Sequence, residues 1–164
     1  MCSSDLVTEA TLPRYRELLA HVDAFFPSDD ELLLPDAARD PAGALASLAS
    51  GRLAFVAWKR GAAGGTLYDA HANRTHAWRP HTERVEDPTG AGDAFMAGFV
   101  SVQLEREEAR GQGTPLDVVE RALQRGVVTA SFAIEAWGAD GLLAASPEAV
   151  RARLASWNSE QVRS

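Results

Sequence analysis

The residues best suited to chemistry lie between Glu86 and Val100, which read EDPTGAGDAFMAGFV. Gly90, Ala91 and Gly92 are followed at once by Asp93, and an apolar run with helical spacing begins on that aspartate. This order predicts a glycine-rich turn feeding the first turn of a helix. Amide N–H groups there lack intrahelical partners, and the helix dipole leaves partial positive charge beside them. Small residues let a phosphate approach the backbone, so Gly90, Ala91 and Gly92 form a candidate anion hole. A carboxylate at Asp93 would compete with a phosphate for those amides. Phosphoryl transfer gives it a reason to be there: a base beside the anion hole accepts the proton of an attacking hydroxyl while the amides hold the developing charge. For an isolated G-x-G-D run, a capped glycine turn is the better reading.

The match is longer than four residues. Asp87, Pro88, Thr89, Gly90, Ala91, Gly92, Asp93, Ala97, Gly98 and Phe99 together resemble the second signature of the ribokinase-like (PfkB) carbohydrate kinases. The resemblance implies ATP-dependent phosphorylation of a hydroxyl on a sugar or nucleoside, with Asp93 as the catalytic base and Gly90 to Gly92 as the anion hole. It also implies an α/β fold of three αβα layers around a Rossmann-like sheet. Members carry P-N-x-x-E after a strand, with the glutamate helping to organise Mg2+ and phosphate. Glu31 matches that glutamate, whereas Ser28 stands where asparagine is expected and reaches less far. From chemistry alone, Pro27 to Leu32 is a solvated loop capping the next helix. Lys59, Gly61 and Gly64 match the family's K-x-G-x-x-G nucleotide loop; the alternative is a plain glycine turn. By resemblance only, Asp87, Thr89, Ala133, Ala136 and Gly138 are candidates for a monovalent cation such as K+, against an ordinary buried helix end.

The elements that must position these residues follow from periodicity. Leu12 to Phe26 reads as a helix running into a short strand, with Pro13 suited to a first turn. Asp40 to Ser50 is rich in alanine and leucine and suits a helix packed on a sheet. Leu53 to Trp58 is a compact apolar run, as expected of a strand buried on both faces. Strand, helix and strand in this rhythm predict a parallel α/β sheet. Lys59 to Gly65 is not a Walker A loop, because no Lys-Ser or Lys-Thr follows its last glycine. Thr66 to Tyr68 instead reads as the return strand of a hairpin. His71, His76 and His81 lack a carboxylate or cysteine at ligand spacing and read as solvated strand and loop residues; Trp78 reads as sheet packing.

Beyond the signature, Ala94 to Leu104 predicts a helix carrying Phe95, Phe99, Val102 and Met96 toward the sheet. Glu105 to Gly113 predicts an exposed turn, and Leu116 to Glu135 a second long helix with Thr114 as its cap. Ala136 to Ala139 closes that helix, and Ser146-Pro147-Glu148 opens a final one to Trp157.

Composition bounds the partners. The chain has 164 residues and a formal charge of -7, which suits one partial domain, residues 1–164, and offers no electrostatic gain on nucleic acid or a membrane surface. Cys2 is the only cysteine, so no internal disulfide or cysteine-rich zinc site forms. No signal peptide or run approaching the ~20 apolar residues of a membrane span is visible, and the chain reads as cytoplasmic. The resemblance runs from about Leu12 to Trp157 but covers only the C-terminal half of a family member. The first signature, the N-terminal strands and the lid that reads the acceptor are missing. The expectation is a catalytic half that self-associates or requires an N-terminal half. The alternative is a truncated, catalytically silent nucleotide-binding or interaction module.

Overall fold

The computed structural model describes residues 7–34, 36–81, 84–108 and 115–162. The chain forms two compact units, Met1–Arg79 and Pro80–Ser164. In the first, α1 (Leu12–Leu19) leads to the short strand β1 (Ala24–Phe25), and α2 (Pro41–Leu48) connects it to β2 (Phe55–Lys59). β1 and β2 are parallel, with Ala24 opposite Phe55 and Phe25 opposite Val56. The Asp40 side chain caps α2 by accepting the Gly43 amide at 2.9 Å, and Pro41 occupies the first turn, where its missing N–H costs no ladder bond.

β2 then pairs antiparallel with β3 (Gly65–Asp69), and β3 with β4 (Arg74–Trp78), giving the order β1-β2-β3-β4. The predicted return strand is therefore present, and the sheet is mixed, with its parallel pair confined to β1 and β2. Val56, Ala57 and Trp58 are buried in succession, as a strand covered on both faces requires. Leu19, Leu32, Leu45, Leu48, Val56 and Trp58 belong to the core of this unit. Trp78 packs in the sheet as expected: it lies over Gly65, where an added Cβ would fall 2.1 Å from the indole. Of the three histidines, His71 is exposed and His76 half-buried, but His81 is buried at 8% exposure, which corrects its reading as solvated.

In the second unit α3 (Ala91–Glu108) packs along α4 (Pro115–Ala133), followed by α5 (Asp140–Ala144) and α6 (Pro147–Val162). α3 begins two residues before Asp93 and extends into the segment expected as a turn, while Thr114 lies outside the described residues. α4 ends at Ala133, two residues short of Glu135. α6 runs past Trp157 and is capped by the Ser146 hydroxyl, which accepts the Ala149 amide at 3.1 Å. α5 carries no apolar periodicity long enough to announce it.

Phe95, Phe99 and Val102 are buried, and within this unit their helix packs on α4. Met96 is 41% exposed, contrary to its expected inward placement, because one residue beyond Phe95 it points about 100° around the helix. The two helices approach most closely at glycines. A Cβ at Gly98 would lie 2.6 Å from Thr129 Oγ1 and 2.8 Å from the Arg125 carbonyl; one at Gly126 would lie 2.9 Å from the Phe95 carbonyl.

An alanine at Gly98 should therefore destabilise the chain even though alanine is the better helix former by about 1 kcal/mol. The clash is with backbone, which cannot swing aside. A net loss of about 1–3 kcal/mol is expected, typical of overpacking, read as a lower urea midpoint at unchanged slope. An unchanged or raised midpoint would show that the helices have slack at this crossing.

Candidate active site

The signature enters α3 through a turn closed by the Ala91 amide, which donates to the Pro88 carbonyl at 3.2 Å. Gly90 occupies the third position of that turn at φ 80°, a left-handed conformation that favours glycine, and nothing lies within 4 Å of a Cβ built on it. The Gly90 carbonyl accepts the Ala94 amide at 2.9 Å. Gly90 thus caps α3, with Ala91, Gly92 and Asp93 as its first turn. The amides of Gly92 and Asp93 precede the helical ladder, whereas that of Ala91 is used to close the turn. The glycine conformation that matters is at Gly90 rather than at Gly92, which is helical. Asp93 is exposed and sits in the first turn, where the dipole favours a carboxylate.

The irregular segment before the turn hangs on the end of α4. The amides of Glu86 and Asp87 both donate to the Ile134 carbonyl, at 2.7 and 3.2 Å. The Asp87 carboxylate accepts the Thr89 amide at 2.9 Å. Hydrogen bonds from the Thr89 hydroxyl and amide, with a smaller one from the Gly138 amide, hold the Asp87 carboxyl below its ordinary value of 3.8. The structure thus brings Asp87 and Thr89 together. Glu86 is paired with Arg84 at 2.5 Å. That hydrogen bond and charge, with a smaller contribution from the Trp137 indole N–H, hold Glu86 below its ordinary 4.5. Trp137 itself is 67% exposed.

In the first unit two further candidate segments meet at the carboxyl ends of the parallel strands β1 and β2, the edge where ligands bind in open α/β sheets. The Lys59 amide donates to the Pro27 carbonyl at 2.8 Å, and Ser28 pairs with Lys59 as an isolated parallel bridge. The Glu31 carboxylate folds back onto Ser28, accepting its amide at 2.8 Å and its hydroxyl at 3.0 Å. Ser28 and Glu31 therefore close one tight turn rather than cap the next helix. Beyond Lys59 the chain makes a short 3-10 turn over Gly61–Ala63, closed by the Arg60 amide on the Gly64 carbonyl at 2.8 Å. Gly64 has a structural reason to be glycine: at φ 81° a Cβ would fall 2.1 Å from the Trp78 carbonyl. Gly61 faces open space, leaving room there for a ligand. The Arg60 guanidinium lies 5.0 Å over the Trp58 ring.

Sequence reasoning missed Ile134, Arg84, Trp137 and Gly126. Only Gly126 carried a signal, since a glycine inside a long helical pattern asks for a packing reason.

Residues 2–145 match the model of the pfkB family carbohydrate kinases. The chain belongs to that family. It is 30% identical over 123 residues to a cytidine kinase of Thermococcus kodakarensis, a match covering 75% of this chain and 41% of that one. Ribokinase from Giardia lamblia superposes with a TM-score of 0.66 at 20% identity, over 87% of this chain and 46% of that one. Aminoimidazole riboside kinase from Salmonella enterica, solved with aminoimidazole riboside and an ATP analog, gives 0.66 at 24% identity, over 90% and 47%. The fold is therefore ribokinase-like, and the chain spans about half or less of the length of the pfkB relatives it matches. Among the described residues no helix is long and apolar enough to cross a membrane.

The Asp87 anchor makes a signed prediction. A carboxyl held below its ordinary pKa contributes stability that is fully present above pH about 3.8 and is lost as pH falls through the lower folded value. The Thr89 amide resonance should titrate with a midpoint below 3.8, and Asp87→Asn should abolish that acid step. A midpoint at or above the ordinary value would mean that the carboxylate does not hold the turn.

Proposed function

We propose that this chain is the phosphate-binding and catalytic half of an ATP-dependent kinase acting on a hydroxyl of a sugar or nucleoside. The observation that carries the reading is the entry to α3. A left-handed Gly90 with open space above it, two amides ahead of the helical ladder and the exposed Asp93 carboxylate fall within four successive residues. The backbone of Gly90, Ala91 and Gly92 cradles the transferring phosphate, and the pre-ladder amides face charge as it develops. Asp93 takes the proton of the acceptor hydroxyl.

Lys59, Gly61 and Gly64 line the nucleotide, with Gly61 supplying the opening and Gly64 holding the turn against Trp78. Glu31, tied to Ser28, orders the neighbouring strand end and acts on Mg2+ indirectly. Among the described residues no group of three His, Cys, Asp or Glu side chains is arranged to hold a metal. An Mg2+ ion at the nucleotide would keep waters and phosphate oxygens as most of its ligands. A ribokinase II structure from E. coli was solved in complex with ATP and Mg2+. The chemistry supplied by bound ATP and Mg2+ is the phosphoryl group and neutralisation of its oxygens. A monovalent cation such as K+ would be held at Asp87, Thr89 and the carbonyls of Ala133, Ala136 and Gly138; the Asp87 carboxylate bonded to the Thr89 amide supports that reading.

The chain spans only 41% of the cytidine kinase and 46% of the Giardia ribokinase, which favours a second reading. In it the chain alone is a silent nucleotide-binding module, self-associated through surface that an N-terminal half would cover.

A coupled ADP-release assay separates the two readings. It is run across sugars and nucleosides on the chain alone and on the chain completed by the N-terminal half of the cytidine kinase. Sugar- or nucleoside-dependent turnover is expected only in the completed form. Asp93→Asn should lower it by about two to four orders of magnitude with ATP affinity nearly unchanged. Turnover within a factor of a few of the parent would remove Asp93 from the mechanism.

A further inference from the structure

The carbonyl of Ile134, which carries the Glu86 and Asp87 amides, lies one residue beyond the end of α4. Helix ends fray unless something fixes them, and the side chain that grips this end comes from α6. Arg153 donates to the Glu135 carboxylate at 2.9 Å and to the Ser131 hydroxyl at 3.1 Å, and its guanidinium lies 3.7 Å over the Phe132 ring. Ser131 in turn donates to the Val128 carbonyl at 2.7 Å. One planar fork therefore holds residues on both sides of Ile134. The paired side chains of Arg153 and Glu135 are only 15% and 19% exposed, so solvent screens them far less than a surface pair.

We propose that Arg153 is a positioning residue for the signature turn: by clamping Ser131, Phe132 and Glu135 it sets the direction of the Ile134 carbonyl, and through it the Asp87–Asp93 segment. A weaker attraction of charge alone runs the same way. Arg84, which holds Glu86, also feels the Glu135 charge. Glu135 Oε1 is buried without a hydrogen-bond partner among the described residues, so Arg153 is the main compensation for that carboxylate. With Arg153 gone, the end of α4 loses its grip from α6, and the Ile134 tether of the signature segment loosens with it. The functional meaning of this link rests on the reading of Gly90 to Asp93 as phosphate turn and base; the link itself does not.

Amide hydrogen exchange on the 164-residue chain tests it. In Arg153→Met, exchange at Glu86 and Asp87 should quicken on the order of tenfold, while amides inside α3 and α4, such as Val102 and Leu123, change by less than about threefold. Glu135→Gln keeps the volume and removes the charge that Arg153 compensates; it should quicken the same two amides by about threefold, and it decides the matter if Arg153→Met does not fold. Unchanged exchange at Glu86 and Asp87, or equal acceleration throughout the second unit, would overturn the proposal. In the completed kinase, Arg153→Met should lower kcat more than it raises KM for ATP. Selective exchange without that kinetic effect would keep the link and count against the phosphate-turn reading.

Discussion

Two amides on one carbonyl carry the signature segment. Glu86 and Asp87 both donate to Ile134, and that acceptor exists only because α4 stops at Ala133 and leaves the next carbonyl without a ladder partner of its own. A helix end is ordinarily a place of unsatisfied acceptors. Here it serves as the mount for a turn whose own conformation, left-handed at Gly90, has no regular structure to hold it. The arrangement ties the residues just ahead of α3 to the end of α4, and so anchors the chain that leads into the Gly92 and Asp93 amides.

The mount is useful only if α4 is itself fixed relative to α3, since the turn ends in one helix and hangs on the other. The glycines at 98 and 126 meet this need by removing side chains where the helices cross, so that backbone meets backbone or ring with no slack. Packing, turn and helix terminus are thus one mechanical loop: α3 to α4 by close approach, and α4 back to the start of α3 through Ile134. Arg153 closes the loop from outside by holding the end of α4 against α6.

Much of this was legible in the sequence. Apolar periodicity placed most of the helices, the apolar run from Leu53 to Trp58 pointed to the strand that forms as β2, and a return strand after the glycine turn was readable from Thr66 to Tyr68. The long motif from Asp87 to Phe99 pointed to the family that the comparison then matched. What stayed illegible has physical reasons. The start of α3 was misplaced because an Asp looks like a cap, whereas a left-handed glycine lets the helix begin at Ala91. Met96 was misread although the helical turn of about 100° from Phe95 already directs it outward, and His81 because burial depends on which neighbour arrives from far along the chain. The contacts that mount the turn use a main-chain carbonyl and a guanidinium from separate helices, and such pairings leave no periodic trace.

The four tryptophans are distributed unevenly between interior and solvent. Trp58, Trp78 and Trp157 are buried at 6%, 6% and 9% exposure, while Trp137 stands open beside Glu86 and Gly138. A small aqueous collisional quencher therefore darkens one indole and spares three. The emission it removes comes from the rim of the signature segment, so the protein carries an optical label at that position without any dye being attached.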